Sequence, residues 1–238
     1  SYGTIQESNG MISVVKLGNG AQNWLGESTY TGTTTIGGTG SLSVDYLADG
    51  GVDRGNGASS GDAANLVFNG STGGLSYRGN NVIGVLSLGS RSASTDRLFT
   101  LAGTGATIAS SQTTNINNAI VWSNTGAIVH AVVGPQLLTF NGTSQGEHTF
   151  NPQLTDSGTG TDITSVSKLG TGIWKLGNSN NTYTGTTTIT QGILMAIDGQ
   201  GLSNASNLAF DGGTLYSSGT LSRDIGTGAG ARGAGGIV

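Results

Sequence analysis

Cysteine is absent from this 238-residue chain, and proline occurs only twice. The fold therefore has neither disulfides nor thiolate metal sites, and an extracellular protein of this composition must hold together without covalent cross-links. Charged residues make up 9% of the chain, against roughly 25% in ordinary globular domains. Gly, Ser, Thr and Asn, all poor helix formers, take their places, so we predict short strands with frequent turns rather than helices.

The scarcity of charge also excludes classes of partner. The net charge is −4 and the nine Lys and Arg residues are scattered singly, so there is no basic stripe for nucleic acid. No apolar run approaches the roughly 18 residues of a membrane-spanning helix. The chain begins at Ser1 without a signal peptide, which indicates a mature product or an excised piece.

An internal repeat dominates what the sequence does contain. The octapeptide Thr-Tyr-Thr-Gly-Thr-Thr-Thr-Ile occupies residues 29–36 and again 182–189, an offset of 182 − 29 = 153. Three flanking signatures recur with it: Lys-Leu-Gly at 16–18 and 168–170, a tryptophan at Trp24 and Trp174, and Asn-Leu-x-Phe-Asn/Asp-Gly at 65–70 and 207–212. We predict a single solenoid over 1–238, with a first unit over about 1–152 and a partial second unit over about 153–238.

Two all-β architectures, a closed sandwich and a parallel solenoid, would produce short strands with regular turns. The solenoid is favoured because the repeating unit of about 152 residues occurs once in full and then begins a second time. We predict coils of roughly 20 to 25 residues and about ten rungs. Residues 42–46 alternate apolar and polar side chains, as expected of a strand with one buried face. We also predict a strand over 127–133, a long polar loop over 49–63, and the start of a further strand at the end of the Gly- and Ala-rich tail 226–238.

The second copy resembles the autotransporter-associated β-strand repeat. Residues 168–177 read Lys-Leu-Gly-Thr-Gly-Ile-Trp-Lys-Leu-Gly, and an Asn-rich step and the octapeptide follow, as in that family. The first copy, over 16–42, lacks one residue before Tyr-Thr-Gly and has Glu27 and Ser28 in place of the Asn step. The resemblance implies an all-β, right-handed parallel β-helix that is extracellular or lies on a bacterial cell surface, commonly as the passenger of a type V secretion protein.

Eight residues at equivalent positions of the two copies are the candidate site residues: Lys16, Trp24, Tyr30, Gly32, Lys168, Trp174, Tyr183 and Gly185. We interpret them as structural, because coil geometry explains the repetition of a residue together with its flanks. Each Tyr would anchor a turn, and Gly185 would mark a tight corner, so Gly185→Val should disrupt the second unit if that corner needs a positive φ. Serial Thr and Asn side chains would form ladders between rungs.

An enzyme is the least favoured function. Asp45, Asp49 and Asp53, next to Arg54, are the candidate carboxylates of a polysaccharide lyase or hydrolase, but a spacing of four does not converge in an extended chain. Two further acid–base pairs are predicted to lie on the surface at coil corners: Asp96 with Arg97, and Arg223 with Asp224.

The two histidines, His130 and His148, are predicted to lie in different strands without a third ligand, so we expect no metal. No phosphate loop or nucleophile motif is present, and we expect neither catalytic residues nor a cofactor.

The function inferred from the sequence is that of a non-enzymatic stalk or spacer. Two alternatives stay open. Terminal rungs would be free sheet edges, so the chain is alternatively a filament subunit that associates end to end with its own kind or with neighbouring repeats. It is otherwise an adhesin that binds a glycan or a host protein through its loops, which an exposed aromatic cluster on one flank would favour.

Overall fold

Short β-strands form nearly all of the regular structure. The computed structural model describes residues 4–53, 55–83, 86–90, 92–111 and 117–223, and these contain no α-helix and a single 3-10 turn at Ala63–Asn65. The strands are β1 (Val14–Lys16), β2 (Gln22–Trp24), β3 (Thr34–Gly38), β4 (Ser41–Val44), β5 (Leu66–Gly70), β6 (Gly74–Tyr77), β7 (Asn80–Ile83), β8 (Leu86–Ser90), β9 (Ala93–Thr95), β10 (Thr100–Leu101), β11 (Gly105–Ser110), β12 (Ile120–Trp122), β13 (Val129–His130), β14 (Gln136–Gly142), β15 (Glu147–Phe150), β16 (Thr164–Lys168), β17 (Ile173–Leu176), β18 (Thr187–Ile189), β19 (Ile193–Met195), β20 (Leu208–Phe210) and β21 (Thr214–Tyr216).

Parallel pairing arranges these strands in three columns. The first column contains β1, β3, β5, β10 and β13. The second contains β2, β4, β6, β11, β14, β16, β18 and β20, and the third contains β9, β12, β15, β17, β19 and β21. The antiparallel pairings are the β7–β8 hairpin and one bridge between Gly70 and Gly105. The chain is therefore a parallel β-helix built from stacked coils, as predicted.

Coil length varies along the helix. Val14 lies opposite Thr34, a spacing of 34 − 14 = 20 residues, whereas Ser41 lies opposite Gly74, a spacing of 74 − 41 = 33. The predicted coil length of 20 to 25 residues is therefore wrong for the middle of the chain, where excursions such as 45–63 lengthen the coils. The second column has eight described strands, fewer than the ten rungs predicted.

The two sequence copies occupy different columns. Strands β1 and β3, which carry the first Lys-Leu-Gly and the first octapeptide, lie in the first column. Their counterparts β16 and β18 lie in the second column, which also continues β2 and β4. The coils between the two copies have strands in all three columns. The two strands of each repeat coil therefore lie in the first and second columns in the first copy, and in the second and third columns in the second copy.

One apolar cluster fills the interior along the helix axis. Inward positions of successive rungs are in register, as where Ile36 lies opposite Phe68. Aromatic rings continue these contacts between rungs, with centroids 5.2 Å apart for Phe68 and Phe99 and 4.9 Å apart for Phe140 and Phe150. Burial of these large side chains is the main stabilising contribution between coils.

Two segment predictions need correction, and one lies outside the described residues. The strand predicted over 42–46 is β4, which ends at Val44. The segment 127–133 forms only the short strand β13, and Val132 and Val133 are exposed. The tail 226–238 lies outside the described residues. No helix in the described part of the chain is long and apolar enough to cross a membrane.

Candidate functional site

The repeated tyrosines are buried at equivalent points of the two copies. The Tyr30 hydroxyl lies 2.7 Å from Thr34 Oγ1, and the Tyr183 hydroxyl lies 2.8 Å from Thr187 Oγ1. Burial raises the pKa of Tyr30 to about 12 and raises the pKa of Tyr183 in the same direction. Both phenols are thus neutral, and each hydrogen bond fixes the turn that leads into its strand.

Gly32 and Gly185 allow two coils to approach closely. Each amide donates to the carbonyl of the coil before it, Gly32 to Ile12 and Gly185 to Thr164, both at 3.1 Å. A Cβ atom at either glycine would lie 2.3 Å from that same carbonyl oxygen. Neither glycine has a positive φ, so a left-handed corner is not the reason for glycine at position 185. Close packing between coils, not backbone conformation, requires glycine here.

A carboxylate caps each Tyr-Thr-Gly turn, and sequence reasoning missed both. The Glu7 carboxylate accepts from Thr31 Oγ1 at 2.5 Å and from the Ile12 amide at 2.9 Å, and these hydrogen bonds lower its pKa. Asp156 likewise accepts from Thr184 Oγ1 at 2.7 Å and from the Thr184 amide at 3.0 Å. The two acids differ in type and in their distance from the octapeptide, so no repeated spacing marks them.

The lysines of the two Lys-Leu-Gly signatures point inwards and close the corner that follows. Lys168 Nζ donates to the next two carbonyl oxygens of its own coil, at 2.8 and 2.7 Å, and to the Gln191 carbonyl of the next coil, at 3.1 Å. Lys16 Nζ donates to the Gly18 carbonyl at 2.9 Å. Burial lowers the pKa of Lys168 to about 8, so the ammonium form that joins the two coils predominates at neutral pH.

The repeated tryptophans differ in burial. Trp174 is fully buried, donates from Nε1 to the Asn141 carbonyl at 2.9 Å, and packs 5.1 Å from the Phe140 ring. Trp24 lies near the end of the described helix, is only partly buried, and meets Tyr30 edge to face at 6.5 Å. Both rings pack within the stack of coils.

Arg97 holds the long excursion of the first unit against the helix. Its guanidinium donates to the Gly57 carbonyl at 2.8 Å, to Ser59 Oγ at 2.8 Å and to the Ala48 carbonyl at 3.4 Å. The prediction that Arg97 lies on the surface is therefore wrong, because only 1% of the residue is exposed. The excursion is correspondingly packed in part rather than fully solvated.

Arg223 has the same role in the second unit. It donates from Nε to Asp198 Oδ1 at 2.7 Å and from Nη2 to the Ser203 carbonyl at 3.0 Å. Its side chain is buried, so the predicted surface position is wrong here too, and its predicted partner, Asp224, lies outside the described residues. Sequence reasoning missed the shared role because the two arginines are 223 − 97 = 126 residues apart, not 153.

The candidate carboxylates lie in different surroundings. Asp45 is buried 3.9 Å from Arg78 Nε, and burial raises its pKa against the opposing effect of that charge. Asp53 is exposed, the Asp49 carbonyl accepts from the Val52 amide in a turn, and Arg54 lies outside the described residues.

The histidines are likewise apart. His148 is fully buried and its Nδ1 accepts from the Ile120 amide at 3.0 Å, whereas His130 bonds to Thr155 Oγ1 at 3.1 Å through Nε2 and also contacts Gln136. Within the described ranges, no group of three or more His, Cys, Asp and Glu residues is placed to hold a metal ion.

Asparagine side chains join coils at the corners, through hydrogen bonds to the backbone of neighbouring coils rather than through the predicted side-chain ladders. Asn178 Nδ2 donates to the Asn151 carbonyl at 2.6 Å and to the Thr125 carbonyl at 3.0 Å, which lie on two earlier coils. Asn181 accepts from the Leu154 amide at 2.8 Å. The amides thus satisfy corner groups that the strand ladders leave unpaired.

Fold and coil junctions together define a parallel β-helix in which repeated residues contact neighbouring coils. Residues 166–196, which include Lys168, Trp174, Tyr183 and Gly185, match the family model described as passenger-associated-transport-repeat. The chain is also similar to the adhesin BmaC autotransporter of Brucella suis biovar 1 (strain 1330), with 40% identity over 167 residues. That match covers 69% of this chain and 4% of the adhesin. No solved structure matches the chain.

The chain is therefore a repeat-built β-solenoid of the autotransporter-passenger type. Proteins of this class lie outside the cell, so the chain is extracellular or on the bacterial cell surface.

Proposed function

We propose that the chain is a non-enzymatic, load-bearing spacer segment of a bacterial surface adhesin. The observation that carries this proposal is that repeated residues of the second copy are used at the junctions between coils. Tyr183 fixes the turn into its strand, whereas Lys168 and Gly185 bond to a neighbouring coil. A group that is bonded to a neighbouring coil transmits force along the axis and is not free to bind a ligand.

Single-molecule pulling between the chain termini tests the proposal. A spacer built from stacked coils should unravel in steps that follow coil length. Coils of 21 residues, such as the one from Thr187 to Leu208, should release about 70 Å, and the coil of 33 residues from Ser41 to Gly74 about 110 Å. Release of the whole chain in one event would contradict a spacer that yields coil by coil.

An adhesin contact is the second candidate function. The relative whose name includes the word adhesin supports it, and so does an exposed aromatic side chain, Tyr216, on one flank of the helix. The filament alternative is supported only by the open edge of β1 and stays a prediction.

A further inference from the structure

A groove crosses the outer face of the third column over three rungs. Lys175, Met195 and Tyr216 lie directly opposite one another on β17, β19 and β21. Their neighbours Leu176 and Leu194 are buried, so alternation along each strand turns the three opposed side chains outwards. With a rung spacing of about 4.8 Å, the row extends for about 10 Å along the helix axis.

The turn after β19 forms one wall of this groove. Ile197 and Gln200 line it, and the Gln200 amide donates to the Ile197 carbonyl at 3.1 Å. The buried ion pair between Arg223 and Asp198 fixes the same turn. Ser218 lines the groove beside Tyr216, and the enclosed volume is about 260 Å³. The wall is thus held in place before any ligand arrives.

The chemistry of the groove combines an aromatic face with polar groups. Tyr216 is 59% exposed, and its ring belongs to none of the aromatic pairs in the described part of the chain. The side-chain amide of Gln200, the Ser218 hydroxyl and the Lys175 ammonium supply hydrogen-bond donors around it.

The charge in the groove is nearly balanced. Among the described residues that line it, Lys175 is the one charged side chain, and its Nζ lies 3.0 Å from Glu147 Oε1, an exposed pair that leaves little net charge. None of these lining residues is a carboxylate, so a cation is a poor fit. A polyanion is also a poor fit, because the single ammonium group of the groove is already paired with a carboxylate.

We infer that this groove binds one or two units of a neutral glycan, with a sugar ring stacked on Tyr216. A pyranose ring presents an apolar C–H face to an aromatic ring and hydroxyl groups at its edge, which matches Tyr216 flanked by Gln200 and Ser218. Since ligand pockets usually enclose about 300 to 1,000 Å³, a groove of this size predicts weak binding. The site goes beyond the spacer role, and neither depends on the other.

Titration calorimetry on the whole chain tests the inference with three neutral hexasaccharides, cellohexaose, hexa-N-acetylchitohexaose and maltohexaose, and with heparin as the polyanion. At least one neutral hexasaccharide should bind. Tyr216→Ala should weaken that binding by about tenfold or more, and Tyr216→Phe should retain it, because the ring rather than the hydroxyl makes the contact.

The matched control is Thr214→Ala, which truncates an exposed side chain on the same strand and face but outside the groove. It should leave the Kd within about twofold of the unmodified chain. Circular dichroism and thermal unfolding of each variant establish that the helix is intact, and Gln200→Ala gives a second groove variant on a separate turn.

The inference is wrong if no neutral hexasaccharide binds at roughly 10 mM, if Tyr216→Ala binds as well as Thr214→Ala, or if heparin alone binds. Coil-by-coil unravelling would be unaffected by any of these results, so the spacer proposal is tested separately.

Discussion

His148 couples the stability of the helix to pH through one buried hydrogen bond. Its Nδ1 accepts the Ile120 amide, and its ring lies 4.9 Å from the Trp174 ring. Protonation of Nδ1 would break that hydrogen bond and place a charge in the apolar interior. Burial, assisted by the positive charge of Lys168, therefore lowers the pKa of His148 to about 4.

Acidification should accordingly destabilise the protein through His148. With an unfolded pKa of about 6.5, the stabilising contribution is complete above that pH and is lost as the pH falls towards 4, because the unfolded chain binds the proton first. The loss from this residue is about 3 kcal/mol in the free energy of unfolding. Urea titrations at pH 7 and pH 4 measure it.

The comparison variant for this measurement is His148→Gln, whose amide oxygen can accept the Ile120 amide without titrating. It should lose about 3 kcal/mol less than the unmodified chain over the same interval. His130→Gln, at a half-buried position, controls for the loss of a histidine. Equal acid sensitivity of the His148→Gln variant and the unmodified chain would show that His148 is not the titrating group.

At the scale of one coil junction, close approach at glycine decides which substitutions are tolerated. Gly185→Ala would place a methyl group 2.3 Å from the Thr164 carbonyl oxygen, and Gly32→Ala would do the same at Ile12. Each should destabilise the helix by about 2 kcal/mol, since the coils must separate to admit the atom.

Gly20→Ala is the matched control for both substitutions. Gly20 has an ordinary φ, and nothing lies within 4 Å of the position its Cβ would take. Thermal unfolding of this variant should be unchanged, or shifted upwards by the equivalent of about 0.5 kcal/mol, because alanine restricts the unfolded chain. If Gly185→Ala and Gly20→Ala had the same melting temperature, the coil junction would accommodate a Cβ atom at position 185, contrary to the close approach of the two coils.

Sequence reasoning predicted the junctions only where both copies use the same residue at the same spacing. The octapeptide and Lys-Leu-Gly pointed to structural corners, and the parallel β-helix followed from the repeat. Arg97 and Glu7 were misplaced or missed, because each acts on a turn that is separated from it by a coil of variable length. When a residue and the turn it contacts are separated by an insertion of variable length, their spacing in the sequence does not repeat, so no periodic pattern marks the contact.

The shift of the second copy to another column shows the same limit at larger scale. Repetition predicts that β1 and β16 are equivalent strands, but the face that each occupies depends on how many strands the intervening coils contain. Those coils diverge from the repeat, so the sequence predicts the stacking of coils and not their rotation about the axis.

For the whole molecule, the open side of β1 predicts how the isolated chain behaves in solution. In the described part of the chain β1 pairs only with β3, and the Val14 amide donates to the Thr33 carbonyl at 2.8 Å. Because backbone groups of a strand alternate in direction, the Val15 amide points away from β3. Val15 is 58% exposed and Leu17 is 72% exposed beside it, so polar and apolar groups are both available to another coil.

End-to-end association that increases with concentration is therefore expected for the 238-residue chain, as measured by sedimentation velocity and electron microscopy. Val15→Pro should reduce it, because proline removes the outward N–H of an edge strand without breaking a bond to β3. Val15→Thr keeps both the N–H and a β-branched side chain and should associate like the unmodified chain. Discrete particles at every concentration, or unchanged assembly of Val15→Pro, would show that this edge is not an association surface. The filament alternative would then lose its structural support, and the spacer proposal would stand without it.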